Sequence, residues 1–143
     1  MVNQWVIDQV VVPLFERAIS KKTGQSFSYD LDLAQNAKFH SMYMRGKGYV
    51  INSAPGWKGR AKEEVVCSAK FSGAIHDIVD ERGIENVFEK IIGQIYSNPN
   101  QRVKFAYDTV GIGIVYNKSI KRFYITLRFL DKPKEQFLMR NSA

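Results

Sequence analysis

The sequence predicts an α+β domain in which helices pack on a small antiparallel sheet. Three observations carry this. The first two-thirds repeat apolar residues at helical spacing, the last third alternates them at strand spacing, and the elements run helix, helix, loop, strand, helix, hairpin. The 143 residues are 45% apolar and 24% charged, which suits one domain able to bury its own core. We therefore expect a single domain over 1–143, with its core in about 5–130 and a C-terminal tail over 131–143.

Residues 4–20 read as the first helix, on the spacing of Trp5, Val6, Val10, Leu14, Ala18 and Ile19. Pro13 either kinks this helix or marks its true first turn, since proline lacks the N–H that a helix interior uses. KKTGQSFS is a turn. Asp30 or Asp32 can cap a second helix running to about Arg45, its carboxylate accepting first-turn N–H groups. The inner face of that helix is Leu33, Ala34, Ala37, His40, Ser41 and Met44, and its small residues at 34, 37 and 41 predict close approach to a neighbouring element.

Residues 46–62 hold four glycines and a proline and read as a loop. EEVVCSAKF is a short strand. IHDIVDERG reads as a short helix stopped by Gly83, and IENVFEKIIGQIY as the third main helix with Ile84, Val87, Phe88, Ile91, Ile92 and Ile95 inward. Asn98, Pro99 and Asn100 end it. TVGIGIVY and KRFYITLRFL then form a hairpin through NKSI. Gly111 and Gly113 in its first strand suggest that another element packs closely there.

Several function classes fall away on composition. No stretch approaches the roughly 20 apolar residues of a membrane span. Cys67 is the only cysteine, which excludes an intrachain disulfide and Cys-based zinc sites. Within the apolar run VVCSA it reads as a buried, inert thiol. No Gly-x-Ser-x-Gly elbow, His-Glu-x-x-His helix or complete glycine-rich phosphate loop is present. His76 beside Asp77 reads as a surface pair. Glu63 and Glu64 are strand neighbours on opposite faces, so only one of them can face a cleft.

The helix LAQNAKFHSMYM followed by RGKGYVINS is similar to the opening of the superfamily of cysteine-rich secretory proteins, antigen five and plant pathogenesis-related proteins, the CAP or SCP-like domain. Leu33, Ala34, Ala37, His40, Met44, Gly48 and Tyr49 fall in register with that pattern. SYDLDLA resembles its entry to the second helix, SNPNQR its bacterial Asn-Ser-Pro-Gly-His-Arg segment, and VGIGIVY with RFYITLRF its closing hairpin. The likeness spans roughly residues 5–130. It implies a three-layer α-β-α sandwich and, in many members, a cleft of two His and two acidic residues able to hold a divalent cation. Here the His positions fall on Asn52 and Gln101, and the acidic ones on Glu63 and on Ser97 or Asn98. Carboxamides are poor zinc ligands, so no tightly held metal and no cofactor are expected. His40, at a family position on the inner helix face, reads as a hydrogen-bonded core or groove histidine.

The net charge is +7. Residues 33–62 carry six basic residues and no acid, and residues 101–143 carry nine basic against three acidic. If loop and hairpin share a side, Lys47, Lys58, Arg60, Lys121 and Arg122 form a basic face beside Tyr49, Trp57 and Tyr107. It would suit nucleic acid, an acidic glycan or anionic lipid, and otherwise it is solvated charge that aids solubility.

The first functional reading is a non-enzymatic CAP-like binding module, exported or surface-displayed, with a degenerate cleft of His40, Asn52, Glu63, Asn98 and Gln101. Its partner would be a host protein, a lipid or sterol, or an acidic polymer. The alternatives are a basic intracellular module that binds nucleic acid or another polyanion, without a recognised motif, and a residual hydrolase using His40 and Glu63. The start MVNQWVIDQVVVPLFER has no basic n-region and is unlike a signal peptide. The expected location is extracellular or cell-surface if an export signal or lipid anchor precedes this segment, and cytoplasmic if Met1 is the native start.

Overall fold

Alternation in the last third of the chain builds the centre of the molecule. The computed structural model describes residues 3–130, so the expected tail over 131–143 lies outside the described residues. Strands β3 (Thr109–Asn117) and β4 (Arg122–Leu130) pair antiparallel through a four-residue turn, which Lys121 closes at a left-handed φ of 54°. Strand β2 (Glu63–Lys70) adds antiparallel to the outer side of β4. Both faces of β3 and β4 are covered by helices, so both strands are buried along nearly their whole length.

One face carries Val65 and Cys67 of β2, Val110, Ile112, Ile114 and Tyr116 of β3, and Phe123, Ile125, Leu127 and Phe129 of β4. Against it lie α2 (Val12–Thr23) and α4 (Glu81–Tyr96), joined by a Phe15–Phe88 edge contact at 4.8 Å. The opposite face, with Val115 and Tyr124, is covered by α3 (Leu31–Lys47) through Met44. The result is the expected α+β sandwich of three layers, helices on both sides of one sheet.

The sheet has one feature the sequence did not announce. Ser28, read as the end of a turn, and Tyr29 form β1 (Ser28–Tyr29), which pairs parallel to β3 and makes the order β1-β3-β4-β2. The Tyr29 hydroxyl extends this short edge: it donates to the Ile112 carbonyl at 3.0 Å and accepts from the Ile112 N–H at 3.2 Å, replacing a strand that has ended. Burial pushes that phenol up to about 12.

Helix α3 begins where Asp30 accepts the Leu33 N–H at 2.9 Å, and it ends at a left-handed Gly48. Leu33, Ala37, Ser41 and Met44 face the sheet. Ala37 and Lys38 cross directly over Gly113, and Leu33 and Ala34 over Gly111: a Cβ on either glycine would overlap backbone atoms of the helix. Ser41 donates to the Gly113 carbonyl at 2.7 Å and shares a 2.8 Å hydrogen bond with Thr126, so the small side chains leave no orphaned polar group at this seam.

Two sequence expectations need correction. The N-terminal helix is α1 (Gln4–Val6), a π turn over Ile7–Val11, then α2 with Pro13 in its first turn. The wide turn offsets the helical phase, so Ile7 and Val11 face the core while Trp5 stays exposed. Residues 75–79 form no helix. Ile75 and Val79 make an isolated bridge, and Asp80 caps α4 by accepting the Gly83 N–H at 3.0 Å. Gly83 is therefore part of a helix start, where a Cβ would strike the Asp80 carboxylate.

Cys67 lies on the β2 face turned to α2 and α4, and burial pushes its thiol up to about 12. We expect no reaction with Ellman's reagent at pH 8 in the native protein and one thiol titrated after denaturation. Rapid native labelling would show that this layer opens.

Candidate binding pocket

Strand alternation puts Glu64, not Glu63, on the α3 side of the sheet. The antiparallel register sets Arg128 of β4 directly across from it. Arg128 Nε donates to Glu64 Oε2 at 3.1 Å, and the two side chains are 3% and 1% exposed. The same pair holds the loop that returns from α3. Glu64 accepts from the Ser53 N–H at 2.7 Å and from Ser53 Oγ at 2.6 Å. Arg128 Nη2 donates to Ser53 Oγ at 2.8 Å and to the Trp57 carbonyl at 3.1 Å.

A second clamp comes from the helix. His40 Nε2 lies 2.6 Å from the Ile51 carbonyl, and because a carbonyl only accepts, that nitrogen carries the proton. His40 also stacks on Tyr43, with ring centroids 5.9 Å apart. Between the outer stripe of α3 and the clamped loop lies a pocket of about 790 Å3, within the roughly 300–1,000 Å3 typical of small-molecule sites. Asn36, Phe39, His40 and Tyr43 form its helix wall, Ile51, Asn52, Ser53, Ala54 and Trp57 its loop wall, and Arg128 reaches it from the sheet. The rim is aromatic and open: Trp57 is 77% exposed, Phe39 56% and Tyr43 51%.

Of the cleft expected from sequence, His40 and Asn52 meet in this pocket. Glu63, Asn98 and Gln101 do not line it. Glu63 shares the face of Val65 and Cys67, on the other side of the sheet. Asn98 serves as the cap of α5 (Pro99–Arg102), accepting the Asn100 N–H at 3.0 Å, and Gln101 lies within that short helix. Glu64, Arg128, Ser53 and the aromatic rim were not identified from sequence as its parts. The period-2 rule said that only one of Glu63 and Glu64 faces the cleft, but choosing between them needed the strand register.

The residues present do not fit a divalent cation. They offer one imidazole already donating to a carbonyl, two carboxamides, and a Glu64 carboxylate occupied by Ser53 and Arg128. No group of three His, Cys, Asp or Glu side chains converges among the described residues. Nor is Ser53 set up as a nucleophile, because its hydroxyl proton goes to Glu64 and the guanidinium donates to its oxygen.

The expected basic face does not assemble either. Lys58 and Arg60 lie by the start of α3, where Arg60 pairs with Asp30 at 2.9 Å. Lys47, Lys121 and Arg122 sit at the hairpin end, about 26 Å along the strands at ~3.3 Å per residue. Arg122 there bonds Ser68 Oγ at 2.9 Å. The loop folds back beside the N-terminus of α3 instead of following its C-terminus, and this separates the two groups. His76 and Asp77 are an exposed pair at 3.6 Å. Among the described residues, no helix is long and apolar enough to cross a membrane.

No protein-family model matches the chain. No curated protein matches it in sequence. Among solved structures it is similar in fold to an outer surface protein from Borrelia burgdorferi, with a TM-score of 0.58 and 11% identity, over 88% of this chain and 96% of that one.

Proposed function

We propose that this chain is a CAP-like, surface-displayed binding module whose ligand enters the pocket between α3 and loop 49–57. The observation that carries the reading is a concave site with exposed aromatic rings at its mouth and a buried Glu64–Arg128 pair behind it that holds Ser53 and Trp57. Large exposed aromatics gathered around one hollow point to a contact site, because a contiguous apolar patch, unlike a single exposed side chain, is seldom left to water alone. The α-β-α layering and the order of the CAP-like segments support the family assignment. Surface display is supported by the name of the Borrelia neighbour. The separation of the basic residues removes the reason to prefer a polyanion.

A screen of neutral aromatic fragments against isotope-labelled protein tests the reading. Shifts should gather on Trp57, Tyr43, His40 and Asn52, and shifts scattered elsewhere would overturn it. Calorimetric titration with zinc should show no sub-micromolar site; finding one would restore the metal chemistry of the family. Protease applied to intact source cells should remove the protein, whereas protection would place it inside.

A further inference from the structure

The chemistry of the pocket narrows the ligand. The Arg128 guanidinium carries donors on three nitrogens. Nε is used by Glu64, and Nη2 by Ser53 and Trp57, while Nη1 donates to no described residue. Arg128 is one of the residues that line the pocket, which makes Nη1 the donor of this guanidinium that a guest there could use. A side chain that is 3% exposed thus keeps one donor for a guest.

That donor comes without net charge. Glu64 already neutralises Arg128. An anion entering here would lose its water without gaining an unpaired cation, which is unfavourable. A neutral carbonyl oxygen suits the donor better. A purely hydrocarbon guest is also a poor match, because burial would strand Nη1 and the carboxamides of Asn36 and Asn52. Each carboxamide offers donors and an acceptor together, the complement of a hydroxyl group. The faces of Trp57, Tyr43 and Phe39 carry negative quadrupole potential, which attracts the polarised C–H bonds on one side of a pyranose ring.

We propose that the pocket binds a neutral saccharide bearing an acetamido group, with the acetamide carbonyl on Arg128 Nη1 and a sugar ring on Trp57. This rests on reading the pocket as the protein's binding site. The acetamide methyl goes to the apolar side formed by Ile51 and Ala54, and ring hydroxyls go to Asn36 and Asn52.

The test is NMR titration of the full chain with tetra-N-acetylchitotetraose, cellotetraose and 3′-sialyllactose, following the Trp57 indole N–H with Trp5 as internal control. Chitotetraose should move Trp57 and the Asn36 and Asn52 side-chain amides. Cellotetraose, which lacks the carbonyl, should bind about tenfold more weakly, and Trp57→Ala should weaken chitotetraose by about tenfold or more. The melting curve of that variant should be unchanged, because the Trp57 side chain is mostly in water. Chitotetraose leaving these signals still at millimolar concentration, cellotetraose matching it, or sialyllactose exceeding it would each overturn the proposal. If aromatic fragments move Trp57 while no sugar does, the saccharide assignment falls and the binding reading stands. If neither does, both fall.

Discussion

Gly113→Ala should lower the stability of the domain by about 3 kcal/mol or more, at the upper end of overpacking costs. The position is unforgiving because the new methyl would meet Ala37 and Lys38 backbone atoms of α3, not the end of a flexible side chain. A side chain can swing away, but a helix has to move as a body. Moving it would also pull Ser41 from the Gly113 carbonyl and from Thr126, leaving buried polar atoms unpaired. For a chain of this size the loss corresponds to a fall in Tm of about 10 °C. Gly93→Ala supplies the control. Gly93 lies inside α4 with nothing close to its Cβ position, so that substitution should raise stability by about 0.5–1 kcal/mol through helix propensity alone. Thermal melts followed by circular dichroism check both signs. Equal melting points for wild type and Gly113→Ala would mean that α3 does not sit on the sheet as described.

This contact was legible in the sequence, from two separate places in the chain. Small residues at 34, 37 and 41 and glycines at 111 and 113 each implied close approach, and they prove to be two sides of one seam. The same holds for the Asp30 cap, the inward Ile84, Phe88 and Ile92 of α4, and the hairpin, because each depends on local periodicity or on a capping side chain.

What escaped were features without a local signature. Two residues of β1 cannot declare themselves by alternation, and their pairing with β3 is set by the path from α2 to α3. Gly83 looked like a stop because glycine often ends helices. Its actual role, making room for the Asp80 carboxylate at a helix start, follows only once the cap is identified. The pocket was half visible: His40 and Asn52 were expected to meet, whereas Glu64 and Arg128 are joined only by the strand register. The basic face failed for a related reason. Clustering along the sequence says nothing about which end of a helix a glycine-rich loop returns to.

Removing Arg128 alone, as Arg128→Leu, should cost about 3–5 kcal/mol, because it leaves the Glu64 carboxylate buried without its counter-charge. Glu64→Leu should be similarly damaging from the other side. The double variant should lose far less than the sum, since a pair of apolar side chains needs no compensation in the interior. A double-mutant cycle measured by urea unfolding should therefore give a coupling of about 2 kcal/mol or more, within the range seen for contacting residues. Strict additivity would show that the two charges do not depend on each other. Burial makes the coupling nearly insensitive to added salt, in contrast to the exposed Arg17–Glu85 and Lys21–Glu89 pairs. The double variant also separates fold from site. The sheet retains its ladder, but the Ser53 N–H and the Trp57 carbonyl lose the partners that fix the loop. Hydrogen exchange should accordingly rise over residues 53–57 while β3 and β4 stay protected. Binding at the Trp57 rim should weaken even though the protein remains folded, because the aromatic wall of the pocket would no longer be held against the sheet.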